Sequence, residues 1–301
     1  MKAIVMNGYG GVDTLKLSDI DEPEPGAGEL KVRVAAAGIN PVDWKLRSGA
    51  LRGREPLELP AVLGRDVAGE VVAVGPGVTE FAVGERVMGL VKHGYAEYVV
   101  APVSAWAKLP ATLPFVTAGA LPLVGLTGRE LAEDAVDAQP GQFVLVTGAV
   151  GGVGRIAVHA AKRRGAIVFA GVRTIQRDAA EELGAERVVA LDDPEDVARL
   201  PELDAIADTI DGEALNRVLD KVRPGGVVGS VVGDSPRAKQ LNLRVSTLLA
   251  HPDPIRLAEL GRDAAAGDFR MPIDWSFPLA EAQNAHRLAE AHGVGKVILT
   301  P

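Results

Sequence analysis

The stretch from Phe143 to Arg155 constrains this chain more than any other. An apolar run of strand length, Phe143–Thr147, ends in a cluster of glycines, which opens a helical pattern through Ile156, Val158 and Ala161. Within it, Ala149-x-Gly151-x-x-Gly154 is an alanine-first form of the dinucleotide fingerprint. A small first residue lets the chain turn sharply off the strand, Gly151 lets backbone approach a pyrophosphate, and Gly154 lets the helix lie close on the strand. Unpaired N–H groups and the positive dipole end at the helix start then attract the anion. Glycine clusters also make plain tight turns. Here the cluster sits between strand and helix with further alternation downstream, which is the context that nucleotide binding needs.

The rest of the chain is organised in two parts. At 301 residues it exceeds one small core and suits two domains. Residues 1–110 read as mostly β: Lys2–Met6, Leu30–Ala36, Val67–Val74 and Tyr95–Ala101 are short runs separated by Gly and Pro. That spacing suits a compact barrel-like domain. Around Leu109–Pro114 the pattern turns to Ala/Leu-rich helix, a domain boundary. Strands and helices then alternate, with strands expected at Phe143–Thr147, Ile167–Val172, Arg187–Ala190, Asp204–Thr209, Val227–Val232 and Arg244–Leu249. Their near-continuous apolar character is that of buried parallel strands in a doubly wound α/β sheet. A helix over Gly212–Lys221, helices near Pro254–Ala266 and Ala280–Ala291, and a last strand at Lys296–Thr300 complete the pattern.

Composition excludes several functions. A net charge of −8, from 32 basic and 40 acidic residues, offers no basic face for nucleic acid or membrane surface. Zero cysteines exclude disulfides, thiolate catalysis and cysteine-bound metal. No signal-peptide pattern and no membrane-length apolar run is present, so a soluble cytoplasmic protein is expected.

Ordered matches run the length of the chain. They include Met1-Lys2-Ala3-Ile4-Val5, Ala37-Gly38-Ile39-Asn40-Pro41-Val42-Asp43 and Leu63-Gly64-Arg65-Asp66-Val67-Ala68-Gly69. Further along come Val83-Gly84-Glu85-Arg86-Val87, Gly94-Tyr95-Ala96-Glu97-Tyr98, Leu121-Pro122-Leu123-Val124-Gly125-Leu126-Thr127, Arg223-Pro224-Gly225-Gly226 and Gly295-Lys296-Val297-Ile298-Leu299. In these the chain resembles the zinc-independent quinone oxidoreductases and enone reductases of the medium-chain dehydrogenase/reductase superfamily. The resemblance implies a GroES-like, mostly-β catalytic domain from both chain ends, residues 1–113 and 252–301. It implies a Rossmann domain for NADPH over residues 114–251. It also implies a homodimer.

Zinc-dependent relatives place Cys where Asn40 stands and a His-Glu pair where Arg65-Asp66 stands, and they carry a four-cysteine lobe. Neither zinc site can be assembled here, so no metal is expected. Without a Lewis acid, hydride transfer needs an electron-poor acceptor, such as a quinone or an alkene conjugated to a carbonyl. An NAD site wants an acid roughly 20 residues past the fingerprint, for the ribose 2′-OH. The turn instead runs Arg173-Thr174-Ile175-Gln176-Arg177, without a carboxylate. Two guanidiniums suit a 2′-phosphate, which favours NADPH. Many relatives carry Tyr near that phosphate, where Leu191 stands here.

The resemblance places Asn40 and Thr127 near the nicotinamide, Thr127 with a catalytic role as well. The other readings are a turn residue before Pro41 and a helix cap. The fingerprint's cofactor-binding residues are Ala149, Gly151, Gly152 and Val153, with Arg173, Arg177 and Gly233 beyond it. Lys45 stands where enone-reducing relatives carry an active-site lysine, and its ammonium would stabilise an enolate oxygen. The alternative is a solvated lysine. Asp43 and Arg47 are expected to form an ion pair or cap, and none of the five histidines is read as catalytic. Val294 stands where relatives often have Arg. Two further functions stay open: a non-catalytic NADPH-binding sensor or structural protein, and an enoyl reductase of a biosynthetic pathway.

Overall fold

The computed structural model describes residues 1–291 and 295–301. His292 and Val294 therefore lie outside the described residues. Contacts divide the chain into two units, Met1–Leu123 with His251–Pro301, and Val124–Ala250.

The first unit opens with β1 (Lys2–Met6), β2 (Leu15–Asp19) and β3 (Glu29–Gly38). After a helix at Pro41–Ser48 come β4 (Ala61–Val62), β5 (Asp66–Val74), β6 (Arg86–Leu90), β7 (Tyr98–Pro102) and β8 (Trp106–Lys108). The second unit holds β9 (Phe143–Thr147), β10 (Ile167–Val172), β11 (Arg187–Ala190), β12 (Leu203–Asp208), β13 (Val222–Ser230) and β14 (Arg244–Thr247). The tail returns to the first unit with β15 (Ile273–Pro278) and β16 (Lys296–Thr300).

β3 is the centre of the first unit. It pairs antiparallel with β5, β7 and β16, so strands from both ends of the chain meet on it. Trp106 and Tyr95 are both buried in that core. Tyr95 precedes β7 rather than opening it. The segment 114–123, assigned to the nucleotide domain on sequence grounds, packs on β3 in this structure. A Cβ at Gly38 would stand 2.4 Å from the Gly119 carbonyl, so the two backbones touch.

In the second unit the parallel strands lie in the order β11-β10-β9-β12-β13-β14, the doubly wound arrangement. Side chains alternate between its faces. Val144 and Val146 point to a face of small residues with Ala157, Val158 and Ala161. Leu145 and Phe169 point to a bulkier face with Ile206, Leu215 and Leu219. Each fully buried large side chain contributes roughly 1.5–3 kcal/mol of hydrophobic stabilisation. The small face lets helix Gly152–Arg163 approach closely. The neighbouring helix Pro122–Glu130 comes as near: a Cβ at Gly128 would meet the Ile156 Cβ at 2.6 Å.

β13 starts five residues earlier than its apolar run suggests, because Val222 pairs with Leu203 and the Pro224-Gly225-Gly226 stretch is absorbed as an irregularity. The helix expected over Gly212–Lys221 is instead a short helix, Gly212–Asn216, and a 3-10 turn, Leu219–Lys221. No helix among the described residues is long and apolar enough to cross a membrane.

Candidate functional site

In the second unit, the fingerprint sits at the carboxyl end of β9. Helix Gly152–Arg163 begins directly after Gly151, which is extended (φ −70°, ψ 164°) and caps it. Gly151, Gly152 and Val153 are partly exposed, whereas Ala149 and Gly154 are buried. The first N–H groups of a helix have no intrahelical acceptor, so this exposed turn is a cradle for an anion. A Cβ at Gly151 would meet only the Gly148 carbonyl, at 3.2 Å, with nothing else within 4 Å. The space a side chain would fill is therefore open, and the residues fit a pyrophosphate.

Beside it lies a buried polar cluster that sequence reasoning missed. Asp208, at the end of β12, accepts from Thr147 Oγ1 (2.7 Å) and from Ser230 Oγ (3.0 Å). Thr209 in turn bonds Thr147 through its N–H (3.0 Å) and its hydroxyl (2.8 Å). These bonds join the ends of β9, β12 and β13 where the strand order reverses, the point at which such sheets bind ligands. Gly233 lies beyond β13, exposed at φ +145°.

The two arginines of the second strand's turn are not equivalent. Arg177 Nη2 is paired at 2.5 Å with Asp196, whose carboxylate also accepts the Ala190 N–H at 2.7 Å. Arg173 is exposed and leans on Gln176 Oε1 at 3.4 Å. A carboxylate does stand at this turn: Asp192 Oδ1 accepts from Thr174 N–H (2.8 Å) and Oγ1 (2.9 Å). Thr127 is buried in the middle of helix Pro122–Glu130, so it is not a helix cap.

In the first unit, Asn40 is fully buried. Its Nδ2 donates to Asp66 Oδ2 at 2.7 Å, and its Oδ1 accepts from Lys296 Nζ at 2.6 Å. Lys296 uses its other two hydrogens on Ile39 O (3.1 Å) and Asp66 Oδ2 (3.3 Å). Asp66 Oδ1 accepts the Leu123 N–H at 2.7 Å. A buried ion pair stabilises only when its remaining hydrogen-bonding capacity is met, and here it is. The positions that carry Cys and Glu in the zinc-dependent relatives are thus bonded to each other and to an ammonium. Among the described residues, no group of three or more His, Cys, Asp or Glu is arranged to hold a metal ion.

Asp43 and Arg47, expected to form an ion pair or cap, do not pair with each other, but Asp43 does cap helix Pro41–Ser48. Asp43 Oδ2 accepts from Asn40 N–H (2.8 Å) and Tyr95 OH (2.9 Å). Arg47 pairs with Glu290 at 2.5 Å and donates toward His286 Nδ1 at 3.1 Å. Lys45, on the same helix, is exposed.

Burial pushes the Asp43 carboxyl up from 3.8 to about 6. Burial, with the Arg47 charge beside it, pushes His286 down from 6.5 to about 3. The two act on stability in opposite directions. Between pH 6.5 and 3 only the unfolded chain protonates His286, so this term loses stability as pH falls, by about 1.4 kcal/mol per pH unit. Between pH 6 and 3.8 only the folded chain protonates Asp43, so this term gains stability as pH falls, at the same slope. His286→Gln removes the first term alone. The stability of the variant relative to the parent should therefore climb as pH falls from 6.5 to 4, measured by thermal melts at each pH. A pH-independent difference contradicts the burial of His286 as a neutral ring.

Comparison with known proteins agrees with this architecture. Residues 26–111 match the alcohol dehydrogenase GroES-like domain, and residues 183–299 match a family described as zinc-binding dehydrogenase. A chloroplast envelope quinone oxidoreductase homologue of Arabidopsis thaliana is 31% identical, covering 100% of this chain and 98% of its own length. The quinone oxidoreductase structure from Coxiella burnetii has a TM-score of 0.90 at 30% identity, covering 100% of this chain and 99% of that one. The Escherichia coli quinone oxidoreductase complexed with NADPH has a TM-score of 0.88 at 28% identity, with both chains fully covered. Sequence and fold coincide over the whole length: the chain belongs to the quinone oxidoreductases of the medium-chain dehydrogenase/reductase superfamily.

Proposed function

We propose that this oxidoreductase, as a homodimer, transfers a hydride from NADPH to a quinone or an α,β-unsaturated carbonyl without zinc. The observation that carries the reading is the open cradle at Gly151 with the exposed Arg173 at the turn after the adjacent strand. The NADPH complex of the Escherichia coli relative supports the same cofactor. The dinucleotide supplies the hydride when bound.

The chain's own residues divide the remaining work. The N–H groups at Gly152 and Val153 hold the pyrophosphate, and Arg173 meets the 2′-phosphate. Thr127 and Asn40 orient the carboxamide. Asn40 keeps one Nδ2 hydrogen for that task, since Asp66 takes the other and Lys296 takes Oδ1. Hydride arriving at the β-carbon of an enone shifts the alkene pair onto the carbonyl oxygen. Lys45 neutralises that oxygen, and water or Lys45 returns a proton to the α-carbon.

Loss of NADPH absorbance with a quinone and an enone, before and after exhaustive chelation, tests the reading. Turnover should persist unchanged after chelation, because no donor set for zinc is assembled among the described residues. Tight NADPH binding with no turnover on any acceptor would favour a sensor or structural role. Lys45→Ala should lower enone turnover roughly ten- to a thousand-fold, the scale of removing one oxyanion donor. Quinone reduction should suffer less, since aromatisation drives it, and NADPH affinity should hold. Parental enone rates in the variant would make Lys45 a solvated lysine.

A further inference from the structure

The ribose-recognition turn after β10 carries no acid of its own, yet the fold delivers one from the neighbouring strand. Leu191 follows β11, is buried, and donates its N–H to Val172 O at 2.8 Å. That bond pins the end of β11 against the end of β10, so residue 192 emerges beside Thr174. There Asp192 Oδ1 accepts both the N–H and the hydroxyl of Thr174. Partial burial opposes its charge, but the two Thr174 bonds and the nearby Arg217 guanidinium hold the carboxyl below its ordinary value. It is an exposed, ionised carboxylate at neutral pH.

The charge around it is more balanced than the sequence of the turn implies. Arg173 and Arg177 line the turn, but Arg177 is already committed to Asp196. Arg217 is divided between the Leu191 carbonyl (3.2 Å) and Glu213 (2.6 Å). Arg173 is left as the cation on the turn with no carboxylate bond of its own among the described residues. A carboxylate in this region is what NAD sites use to take the ribose 2′-OH, and it opposes a phosphate in the same place.

We propose that Asp192 sets the dinucleotide discrimination of this chain: it accepts from the ribose hydroxyl of NADH and repels the 2′-phosphate of NADPH, narrowing the preference to a small margin. The proposal rests on the nicotinamide reading above and concerns only how that site chooses between its two forms.

Equilibrium dissociation constants for NADPH and NADH, measured by calorimetry without substrate at fixed ionic strength, test it on the parent, Asp192→Asn and Arg173→Ala. Asparagine keeps an oxygen for Thr174, so the turn stays braced, and a melt checks that the fold is retained. The parent should bind the two dinucleotides within about tenfold of each other. Asp192→Asn should tighten NADPH on the order of ten- to a hundredfold and weaken NADH several-fold, the scale expected for removing a like charge from an exposed anion site. Arg173→Ala should weaken NADPH alone. If Asp192→Asn moves both constants equally, or neither, Asp192 only braces the turn and the proposal is overturned. A parent that binds neither dinucleotide overturns the nicotinamide reading and this one with it. A parent that binds both, with an unresponsive Asp192, overturns this one alone.

Discussion

Gly151→Val should fold normally and bind NADPH at least about a hundredfold more weakly, while Gly154→Val should fail to fold. The two glycines lie three residues apart in one fingerprint and do different work. At Gly151 the backbone angles suit any L residue, and a Cβ would crowd only the Gly148 carbonyl, by a few tenths of an ångström. The valine branches would project into the open cradle and keep a pyrophosphate off the helix N–H groups. Two lost hydrogen bonds to a charged group, at roughly 1.5–3 kcal/mol each, correspond to at least a hundredfold in affinity. At Gly154 a Cβ would stand 2.2 Å from the Gly148 carbonyl and 2.8 Å from the Ala149 Cα. Both are backbone atoms at the strand-to-helix turn, and neither can yield. Calorimetry with NADPH and a thermal melt of each variant separate the effects. Unchanged affinity in folded Gly151→Val would remove the basis for placing the dinucleotide there.

Lys296→Met should cost about 3–5 kcal/mol of stability, the range for breaking a buried ion pair from one side. The methionine fills much of the volume but leaves the fully buried Asp66 carboxyl without its cation, with only neutral donors, and near Asp43. Asn40 loses the cation on its Oδ1, and the Ile39 carbonyl loses its Nζ bond. At roughly 2–4 °C per kcal/mol for a chain of this size, the melt should fall by about 10 °C. Adding Asp66→Asn should recover part of the loss, because the uncompensated charge disappears. A single variant that melts with the parent would show that the pair contributes nothing.

Legibility followed the distance between the residues concerned. The fingerprint was readable because its strand, turn and helix signals fall within consecutive residues. β9, β10 and β11 begin and end where their apolar runs do. β15 was not foreseen: Asp274, Trp275 and Ser276 are all exposed on an edge strand, so no alternation marks it. Proline and two glycines hid the start of β13 because they read as a turn. In the candidate site, residue type pointed to Asn40 but not to its partners. Asp66 lies 26 residues away and Lys296 lies 256 away, and nothing local links them. Asp192 escaped for the same reason. The chain past β10 carries no acid at this turn, whereas the sheet brings Asp192 there from the end of β11.

The bond between Asp66 and Lys296 spans 230 positions of sequence, and this bears on the order in which a ribosome can release a finished molecule. When β3 and β5 emerge, Asn40 and Asp66 are already committed to a core whose compensating cation has not been synthesised. The whole second unit, contiguous from Val124 to Ala250, is translated in the interval and can close on its own contacts. At typical synthesis rates of roughly 5–20 residues per second, the first unit waits on the order of ten seconds or more for its last strands. During that time the Asp66 carboxyl lacks its partner and the β16-pairing edge of β3 stays open to other chains or a chaperone. A chain that stalls before Lys296 would therefore carry a formed nucleotide-binding unit on an unfinished partner.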